Sequence, residues 1–330
     1  MKRIKILLTL IALAVLSAAV FTACKSSRDR NNLRVLYWNI QNGMWSCQDS
    51  NYQAFVDWVK EKDPDICIFA EASTIYYDGT SQSRPMEDRY LPEHWGELAA
   101  RYGHSYWFKG GQRDNYPQVI TSKYPIDSIS AFVGSEPDSV VCHGSGWARI
   151  QINGLKPLNL VSIHLKPFPY GFRIPKEEQQ ASAARHEGDK YRCKEVEYVV
   201  RHTVKTSAHP EEELWLMAGD FNSKSRKDNF HYGYPEDTTA FLVHDFLGGE
   251  ESPYYDIVAE TFPGEFRSSH GKDVRIDYVY VTKALLDARK EVYTQTDEYT
   301  TAVRSEPVNW FWIPSDHYPI IVDFDRRKMR

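Results

Sequence analysis

The sequence predicts an α+β fold in which strands and helices form separate layers. Short apolar or alternating runs, which are typical of strands, outnumber the helical patterns. These runs also come in groups, whereas a doubly wound parallel sheet requires strands and helices to alternate along the chain. We therefore expect a layered sandwich. The predicted strands are Leu33–Ile40, Ile66–Ala70, Tyr106–Phe108, Val119–Thr121, Trp147–Ile152, Leu158–His164, Leu214–Ala218, Arg275–Val281 and Ile320–Phe324.

Two stretches carry a helical pattern instead. Phe55, Trp58 and Val59 recur at the spacing of one helix face. Pro64 would end that helix, because a proline disfavours the α conformation in the residue before it. The second predicted helix covers about residues 176–205, where charged residues are interleaved with alanines and valines.

The N-terminal segment has the pattern of a secretory signal. Basic residues at the start precede an apolar stretch over residues 6–21, and small residues then lead to Cys24. A cysteine at that place resembles the lipobox of bacterial lipoproteins. We therefore predict a lipoprotein signal peptide at residues 1–23, a polar tether at 24–33 and one large domain at 34–330.

Acylation of Cys24 would anchor the exported protein to the membrane of the bacterial cell envelope. An ordinary signal peptide and an uncleaved signal anchor are the alternatives, since the apolar stretch is close to the roughly 20 residues that span a bilayer.

The charge balance argues against a protein that grips duplex DNA. The 330 residues include 40 Lys+Arg and 45 Asp+Glu, and three of the basic residues lie in the predicted signal peptide, so the mature chain has 37 basic and 45 acidic residues and a net charge of −8. Proteins that bind duplex nucleic acid usually present a basic surface. Nucleic acid is therefore a disfavoured partner, although a basic patch that forms only in three dimensions stays open.

Four further cysteines follow Cys24. Cys67 lies in an apolar run and is expected in the core, whereas Cys47, Cys142 and Cys193 lie in polar or mixed surroundings. An exported location permits disulfides, but spacing alone assigns no pair. No cluster of cysteine and histidine has the spacing of a zinc site.

Polar residues recur where the predicted strands end or begin. Asparagine and aspartate at such places are usually turn formers, but here carboxylates, amides and imidazoles occur together at six strand ends. A sandwich can gather such ends at one rim. The residues concerned are Asn39, Glu71, His164, Asp220, Asn222, Asp277, Asp316 and His317.

This set of residues suits the hydrolysis of a phosphate ester. Carboxylate and amide oxygens are the ligands that Mg²⁺ or Mn²⁺ prefers. His164 and His317 add groups that titrate near neutral pH. A metal, an acid that activates water and imidazoles together permit in-line attack on phosphorus.

Taken in order, these motifs resemble those of the endonuclease/exonuclease/phosphatase family, which includes DNase I, exonuclease III-type repair nucleases, neutral sphingomyelinases and inositol polyphosphate 5-phosphatases. The resemblance covers about residues 34–324 and implies a four-layered α/β/β/α sandwich with one catalytic domain over 34–330. The motifs are Trp38-Asn39-Ile40, Glu71 after Phe69-Ala70, Ser162-Ile163-His164-Leu165, Gly219-Asp220-Phe221-Asn222, Arg275-Ile276-Asp277-Tyr278 and Ser315-Asp316-His317-Tyr318-Pro319.

The resemblance implies a metal site and assigns its ligands. Glu71 would be the main metal ligand, with Asn39 beside it and Asp316 near the ion. Mg²⁺ is the implied ion, with Mn²⁺ as the alternative. Ala70 stands where the family commonly has glutamine, which removes a polar contact next to the ligand.

The resemblance also implies the catalytic residues. Asp220 would position or deprotonate the attacking water, and Asn222 would hold a phosphate oxygen. Asp277 would fix the tautomer of His317, which either contacts the phosphate or acts as a general base. His164 would stabilise or protonate the leaving oxygen.

These features predict a metal-dependent hydrolase that acts outside the cytoplasm on a phosphate monoester or diester. The net charge, the presence of His164 and the aromatic runs at 167–172 and 310–312 favour a small molecule or a lipid headgroup as the substrate. Two rivals stay open. One is a secreted nuclease, and the other is a catalytically silent protein that binds a ligand at the cell surface.

Overall fold

Two six-stranded sheets form the frame of the domain in the computed structural model. The structure describes residue 29 and residues 31–43, 51–77, 82–133, 139–250, 252–294 and 314–330. The first sheet has the order β11-β12-β1-β2-β4-β3 and the second the order β5-β6-β7-β8-β10-β9. In chain order the strands are β1 (Asn32–Asn39), β2 (Ile66–Ala70), β3 (Tyr106–Lys109), β4 (Val119–Ser122), β5 (Ile126–Phe132), β6 (Ser145–Ile150), β7 (Leu158–His164), β8 (Leu214–Asp220), β9 (Tyr254–Asp256), β10 (Asp277–Thr282), β11 (Arg289–Tyr293) and β12 (Ile320–Asp325).

Alternating residues of the inner strands divide the core into layers. In β1, Val35 and Tyr37 point between the two sheets, whereas Leu36 and Trp38 point outward to the helices. This is the period-two alternation of a strand that is buried on both faces. Each fully buried apolar side chain of this kind contributes about 1.5–3 kcal/mol through its removal from water.

Helices cover the outer face of each sheet. The first two helices pack against β1 and β2, and helices from the 187–202 and 242–247 segments pack against β7 and β8. The predicted four-layered α/β/β/α sandwich is therefore confirmed. The helices are α1 (Gln53–Lys62), α2 (Trp95–Arg101), α3 (Gln179–Ala184), α4 (Glu187–His202), α5 (Asn229–Tyr232), α6 (Leu242–Leu247), α7 (Ile257–Thr261) and α8 (Lys283–Ala288).

All nine predicted strands are present, with ends that differ by at most two residues. The prediction missed three strands, β5, β9 and β11. All three lie at the edges of the sheets, where exposed positions interrupt the apolar pattern.

The single predicted helix over residues 176–205 is wrong, because the chain forms α3 and α4 separately. His186 between them has a φ of 55°, which is left-handed. Gly188 donates a backbone hydrogen bond to the Pro169 carbonyl at 2.9 Å, and a Cβ at this glycine would lie only 2.4 Å from the Phe168 oxygen. Contact with the 167–172 loop therefore sets the break, which helix propensity alone does not reveal.

Several predictions lie outside the described residues. These are the signal peptide, Cys24, Cys47 and the aromatic run at 310–312. None of the helices in the described part of the chain combines the length and the apolar character needed to cross a bilayer. Of the remaining cysteines, Cys67, Cys142 and Cys193 are free thiols, and Cys67 is buried as expected.

A buried histidine between α2 and β3 makes the stability of the fold depend on pH. His104 is 1% exposed, with one ring nitrogen 2.9 Å from Thr121 Oγ1 and the other 2.9 Å from the Pro64 carbonyl. Burial lowers the pKa of His104 to about 4. In the unfolded chain this histidine binds a proton near pH 6.5, whereas in the folded chain it stays neutral down to about pH 4. The free energy of unfolding therefore falls as the pH falls from 6.5 to 4.

We expect His104→Gln to remove this part of the pH dependence. In the unaltered chain, this group lowers the free energy of unfolding by about 3 kcal/mol between pH 6.5 and pH 4. Urea denaturation at steps across this range measures the difference in slope. His209→Gln is the control, because His209 lies on the surface. Equal slopes for the unaltered protein and the His104 variant would contradict the prediction.

Candidate active site

The second sheet places three of the predicted residues side by side. His164 ends β7, and its partner in the parallel pair with β8 is Asp220. Asp277 begins β10, which runs antiparallel to β8, and its partner is also Asp220. Strand register alone therefore puts an imidazole and two carboxylates in one row at the sheet edge.

The first sheet presents the other predicted residues at the same rim. Asn39 ends β1, and Glu71 directly follows β2, the parallel neighbour of β1. The segment before β12 is fastened to β1 by two hydrogen bonds, from Trp38 Nε1 to the His317 carbonyl at 2.9 Å and from Ser315 Oγ to the Asn39 carbonyl at 2.8 Å. These bonds hold His317 over the row formed by the second sheet.

Two residues of the rim have a strained backbone. Glu71 has a φ of 54° and Asn222 has a φ of 47°, values that residues other than glycine seldom adopt. At Asn222 the strain is offset by a hydrogen bond from its backbone N–H to Asp220 Oδ1 at 2.8 Å and one from its side-chain nitrogen to the Leu165 carbonyl at 3.0 Å. Strain held in place by its surroundings is typical of functional sites.

The Asp277 carboxylate is the most completely bonded group of the site. It is fully buried and accepts hydrogen bonds from Tyr37 at 2.7 Å, from Ser269 Oγ at 2.8 Å and from His317 Nδ1 at 2.7 Å. Because Nδ1 of His317 donates to Asp277, the Nε2 edge of the ring is turned toward the rest of the site. Tyr37 and Ser269 were not predicted from the sequence.

The environment of His317 favours its charged form. Burial opposes protonation, but the negative charges of Asp277, Asp316 and Asp220 outweigh it and hold the pKa of His317 well above its ordinary value. Nε2 lies 3.7 Å from Asp316 Oδ1 and 3.9 Å from Asp220 Oδ2. The imidazolium can therefore contact an anionic group bound between these acids.

Burial also alters the acids of the site. It raises the pKa of Glu71 to about 7, with a further contribution from the charge of Asp316. Burial and the charge of Asp277 raise the pKa of Asp220 well above its ordinary value. Burial acts on Asp316 in the same sense, but the charge of His317 and a hydrogen bond from His270 outweigh it, so its pKa lies below the ordinary value.

Asn39 connects two of these acids. Its side-chain nitrogen lies 3.3 Å from Glu71 Oε1 and 3.2 Å from Asp220 Oδ2, and its oxygen accepts a hydrogen bond from the Gln41 backbone at 3.0 Å. In this arrangement Asn39 orients the two carboxylates, and its role as a metal ligand stays a prediction.

The donor set fits a hard divalent cation. Asp316 Oδ1 is buried and has no hydrogen-bond partner among the residues that the structure describes. Several carboxylates that share one buried rim repel each other unless a cation lies between them. At the rim, three groups of residues offer ligand atoms that lie within 4.8 Å of one another: Glu71, His164 and Asp220; Asp220, Asp277 and His317; and His270, Asp316 and His317.

His270 supports Asp316 from the side. Its Nδ1 accepts a hydrogen bond from the Lys272 backbone at 3.0 Å, so the neutral ring carries its proton on Nε2, which faces Asp316 Oδ2 at 3.5 Å. The ring also packs edge to face on His317 with a centroid distance of 4.7 Å. No motif marks His270, because its contact depends on how the loop before β10 folds back.

His164 differs sharply from His317. Its Nε2 lies 3.6 Å from Asp220 Oδ2, and its Nδ1 is buried without a hydrogen-bond partner in the described part of the chain. Burial, together with the nearby imidazoles of His143 and His317, holds the pKa of His164 well below its ordinary value. A neutral ring of this kind donates a hydrogen bond without carrying charge.

His143 and Asp114, neither of which was predicted from the sequence, lie next to His164. The ring of His143 lies 4.5 Å from the ring of His164, and its Nδ1 lies 2.6 Å from Asp114 Oδ2. Tyr116 packs edge to face on both rings, at 5.0 Å and 6.1 Å. The sequence around His143 has no periodicity or motif that could have identified it.

Asp256 and Arg275 form a structural pair and lie outside this constellation. The buried guanidinium of Arg275 contacts Asp256 and Asp228 at 2.8 Å and 2.7 Å. Asp256 also caps the N-terminus of α7. The motif that contains Arg275 therefore supplies both a structural ion pair and, two residues later, Asp277.

We expect Asp277→Asn to lower the pKa of His317 by at least about one pH unit, because an amide keeps the hydrogen bond but removes the negative charge. NMR titration of ¹³C-labelled histidine in the absence of divalent metal measures the change. Asp114→Asn is the matched control, since Asp114 contacts His143 instead. An unchanged His317 pKa in Asp277→Asn would refute the electrostatic account of this pair.

Comparison with solved structures shows the same fold in several proteins. An endonuclease/exonuclease/phosphatase from Beutenbergia cavernae DSM 12333 has 15% identity and a TM-score of 0.61, over 90% of this chain and 72% of that one. An AP endonuclease from Archaeoglobus fulgidus has 18% identity and a TM-score of 0.57, over 89% and 99%. The 3′ phosphatase NExo from Neisseria has 14% identity and a TM-score of 0.55, over 89% and 99%.

A search of curated proteins found no match. The model of the Endonuclease/Exonuclease/phosphatase family, in contrast, matches residues 36–317, a span that contains every predicted site residue. The chain therefore belongs to the endonuclease/exonuclease/phosphatase family.

Proposed function

We propose that the protein is a divalent-metal-dependent phosphoesterase that hydrolyses a phosphate ester of a small molecule or a lipid headgroup. The observation that carries the proposal is the Asp277–His317 pair, whose free Nε2 edge faces the carboxylates of Asp220 and Asp316. A cationic imidazole beside a set of cation-binding acids suits a phosphate group that is held between a metal and a histidine.

Glu71 and Asp316 would hold the metal, with Asn39 orienting Glu71. Mg²⁺ is usually bound by one or two protein carboxylates, and its other positions are kept for water and phosphate. Mn²⁺ is the alternative. When bound, the metal would stabilise the negative charge that develops on the phosphoryl oxygens.

Each of the remaining rim residues would act on a different part of the reacting phosphate group. Asp220, whose Oδ2 lies 3.9 Å from Nε2 of His317, would orient the attacking water and take its proton. His317 would contact the phosphate, and Asn222 would hold a phosphate oxygen. His164 would donate a hydrogen bond to the leaving oxygen, a role that a neutral ring can fill.

Charge and surface shape favour a small substrate over a nucleic acid. The mature chain would carry a net charge of −8, which opposes the approach of a duplex. Phe168, in the loop that follows His164, is 50% exposed and is available to contact a substrate or a headgroup. A nuclease is the second candidate, since the solved structures with this fold include an AP endonuclease and a phosphatase bound to a product DNA hairpin.

We expect one phosphorus resonance to decay when a mixed pool of phosphoesters is incubated with the protein and Mg²⁺. The pool would contain sugar and inositol phosphates, sphingomyelin and glycerophospholipid micelles, and a short DNA duplex. His317→Ala and Glu71→Gln should each slow the decay at least about 10²-fold, because they remove transition-state contacts. Chelation by EDTA should stop it.

His209→Ala is the matched control, since it removes a histidine that lies on the surface. Decay of the DNA resonance alone would favour the nuclease. If no resonance decays with Mg²⁺ or Mn²⁺, the catalytic assignment fails and the silent ligand-binding protein becomes the better interpretation.

We also propose that the protein is exported and anchored to the cell envelope through a lipid on Cys24. The support is the sequence pattern of residues 1–24.

A bacterial culture that expresses the full chain should incorporate radiolabelled palmitate into the protein, and Cys24→Ser should abolish this label. Cys193→Ser should retain it. A label that persists in Cys24→Ser would overturn the anchor.

A further inference from the structure

His270 is a buried histidine of the candidate active site to which the proposed function assigns no role. It is 6% exposed, and its ring packs edge to face on His317 with a centroid distance of 4.7 Å. It lies in the loop before β10, outside every motif of the sequence. A buried imidazole is stable only where its ring nitrogens have partners, so the partners of His270 indicate what the ring does.

Backbone hydrogen bonds fasten the loop of His270 to the segment before β12. The N–H of Gly271 donates to the Asp316 carbonyl at 2.8 Å, and the N–H of Tyr318 donates to the Ser269 carbonyl at 2.8 Å. Together these bonds make a short antiparallel bridge between the two segments. The ring of His270 is therefore held at a fixed place beside the Asp316 side chain.

The loop also decides which nitrogen of the neutral ring carries the proton. Nδ1 of His270 accepts a hydrogen bond from the Lys272 backbone at 3.0 Å, so the proton lies on Nε2. Nε2 lies 3.5 Å from Asp316 Oδ2, which is long for a hydrogen bond. Hydrogen bonds of active sites are commonly long before a ligand is bound. The N–H of His270 thus faces one particular oxygen of Asp316.

The two oxygens of the Asp316 carboxylate consequently have different surroundings. Oδ2 faces the N–H donor of His270. Oδ1 is buried and has no hydrogen-bond partner within the described ranges, and it lies 3.7 Å from Nε2 of His317. One oxygen is therefore available to a cation, and the other is directed toward a neutral donor.

This difference between the oxygens matters for the choice of metal. Ca²⁺ is usually bound by about six to eight oxygens and often takes both oxygens of one carboxylate, whereas Mg²⁺ requires a nearly octahedral set of single oxygens at about 2.0–2.1 Å. A neighbouring donor that occupies one oxygen orients a carboxylate for binding through the other. A carboxylate held in this way suits Mg²⁺ better than Ca²⁺.

We propose that His270 is a positioning residue that leaves Asp316 one oxygen for the metal and thereby favours Mg²⁺ over Ca²⁺. This inference rests on the proposed function, in which Asp316 is a metal ligand. His270 acts through Asp316 and touches neither the metal nor the phosphate. A role in packing alone would affect folding but would leave the preference between the two ions unchanged.

The test measures the Kd of Mg²⁺ and of Ca²⁺ for the full chain by isothermal titration calorimetry, at fixed pH and ionic strength and without substrate. We expect His270→Ala and His270→Phe each to lower the ratio of the Ca²⁺ Kd to the Mg²⁺ Kd at least about 5-fold, because Oδ2 is released for a second contact with Ca²⁺. His270→Gln should restore the ratio, since its amide N–H can take the place of Nε2–H.

His231→Ala is the matched control. His231 lies 3.4 Å from Asp273, which belongs to the same loop as His270, so the variant removes an imidazole beside a different carboxylate. Thermal denaturation in EDTA checks the folding of each variant. The phenylalanine variant keeps an aromatic ring in the packing and decides the test if the alanine variant does not fold.

An unchanged ratio in folded His270→Phe would overturn the inference. So would an equal change in His231→Ala, or a glutamine variant that behaves like the phenylalanine variant, because the effect would then not come from the N–H donor. Failure of the unaltered chain to bind either ion would overturn it as well.

The phosphoester pool separates this inference from the proposed function. If the ratio changes as expected but the unaltered chain hydrolyses no phosphoester, the role of His270 stands and the phosphoesterase proposal fails. If a phosphoester is hydrolysed but the ratio is the same in every His270 variant, the phosphoesterase proposal stands and the role of His270 is refuted.

Discussion

The Asp277 carboxylate is the group on which the arrangement of the site depends. It is fully buried and joins three separate parts of the chain: Tyr37 of the first sheet, Ser269 of the loop before β10, and His317 before β12. A buried charge of this kind is costly unless each oxygen is bonded. Because the bonds come from both sheets, the same interaction that satisfies the charge also sets the distance between the two halves of the rim.

The rim also shows why its acids favour a cation. Burial and the charge of Asp316 raise the pKa of Glu71, burial and the charge of Asp277 raise the pKa of Asp220, and the charge of His317 keeps the pKa of Asp316 low. Because the strand ends are packed in the core, these carboxylates are removed from water, and water does not screen their repulsion. A divalent ion would supply the missing positive charge, so the stability of the rim and its proposed chemistry would depend on the same ion.

The sequence predicts those parts of the fold and site that local patterns encode. Inner strands such as β2 and β7 are buried throughout and mostly apolar, and their ends were predicted correctly, whereas the edge strand β5 has mostly exposed or half-buried residues and no apolar pattern. The same holds in the site. Asp277 and His317 lie in motifs, but the role of Ser269 and His143 comes from loops that approach only in the folded chain, and no spacing in the sequence encodes that approach.

The two site histidines show how position decides chemistry. The charges of three carboxylates outweigh burial and raise the pKa of His317, whereas burial and the adjacent imidazoles lower the pKa of His164. In the proposed reaction, the cationic ring would therefore contact the anionic phosphoryl group, and the neutral ring would donate a hydrogen bond to the leaving oxygen. The phosphoryl group that is transferred to water would then be held by the metal and His317.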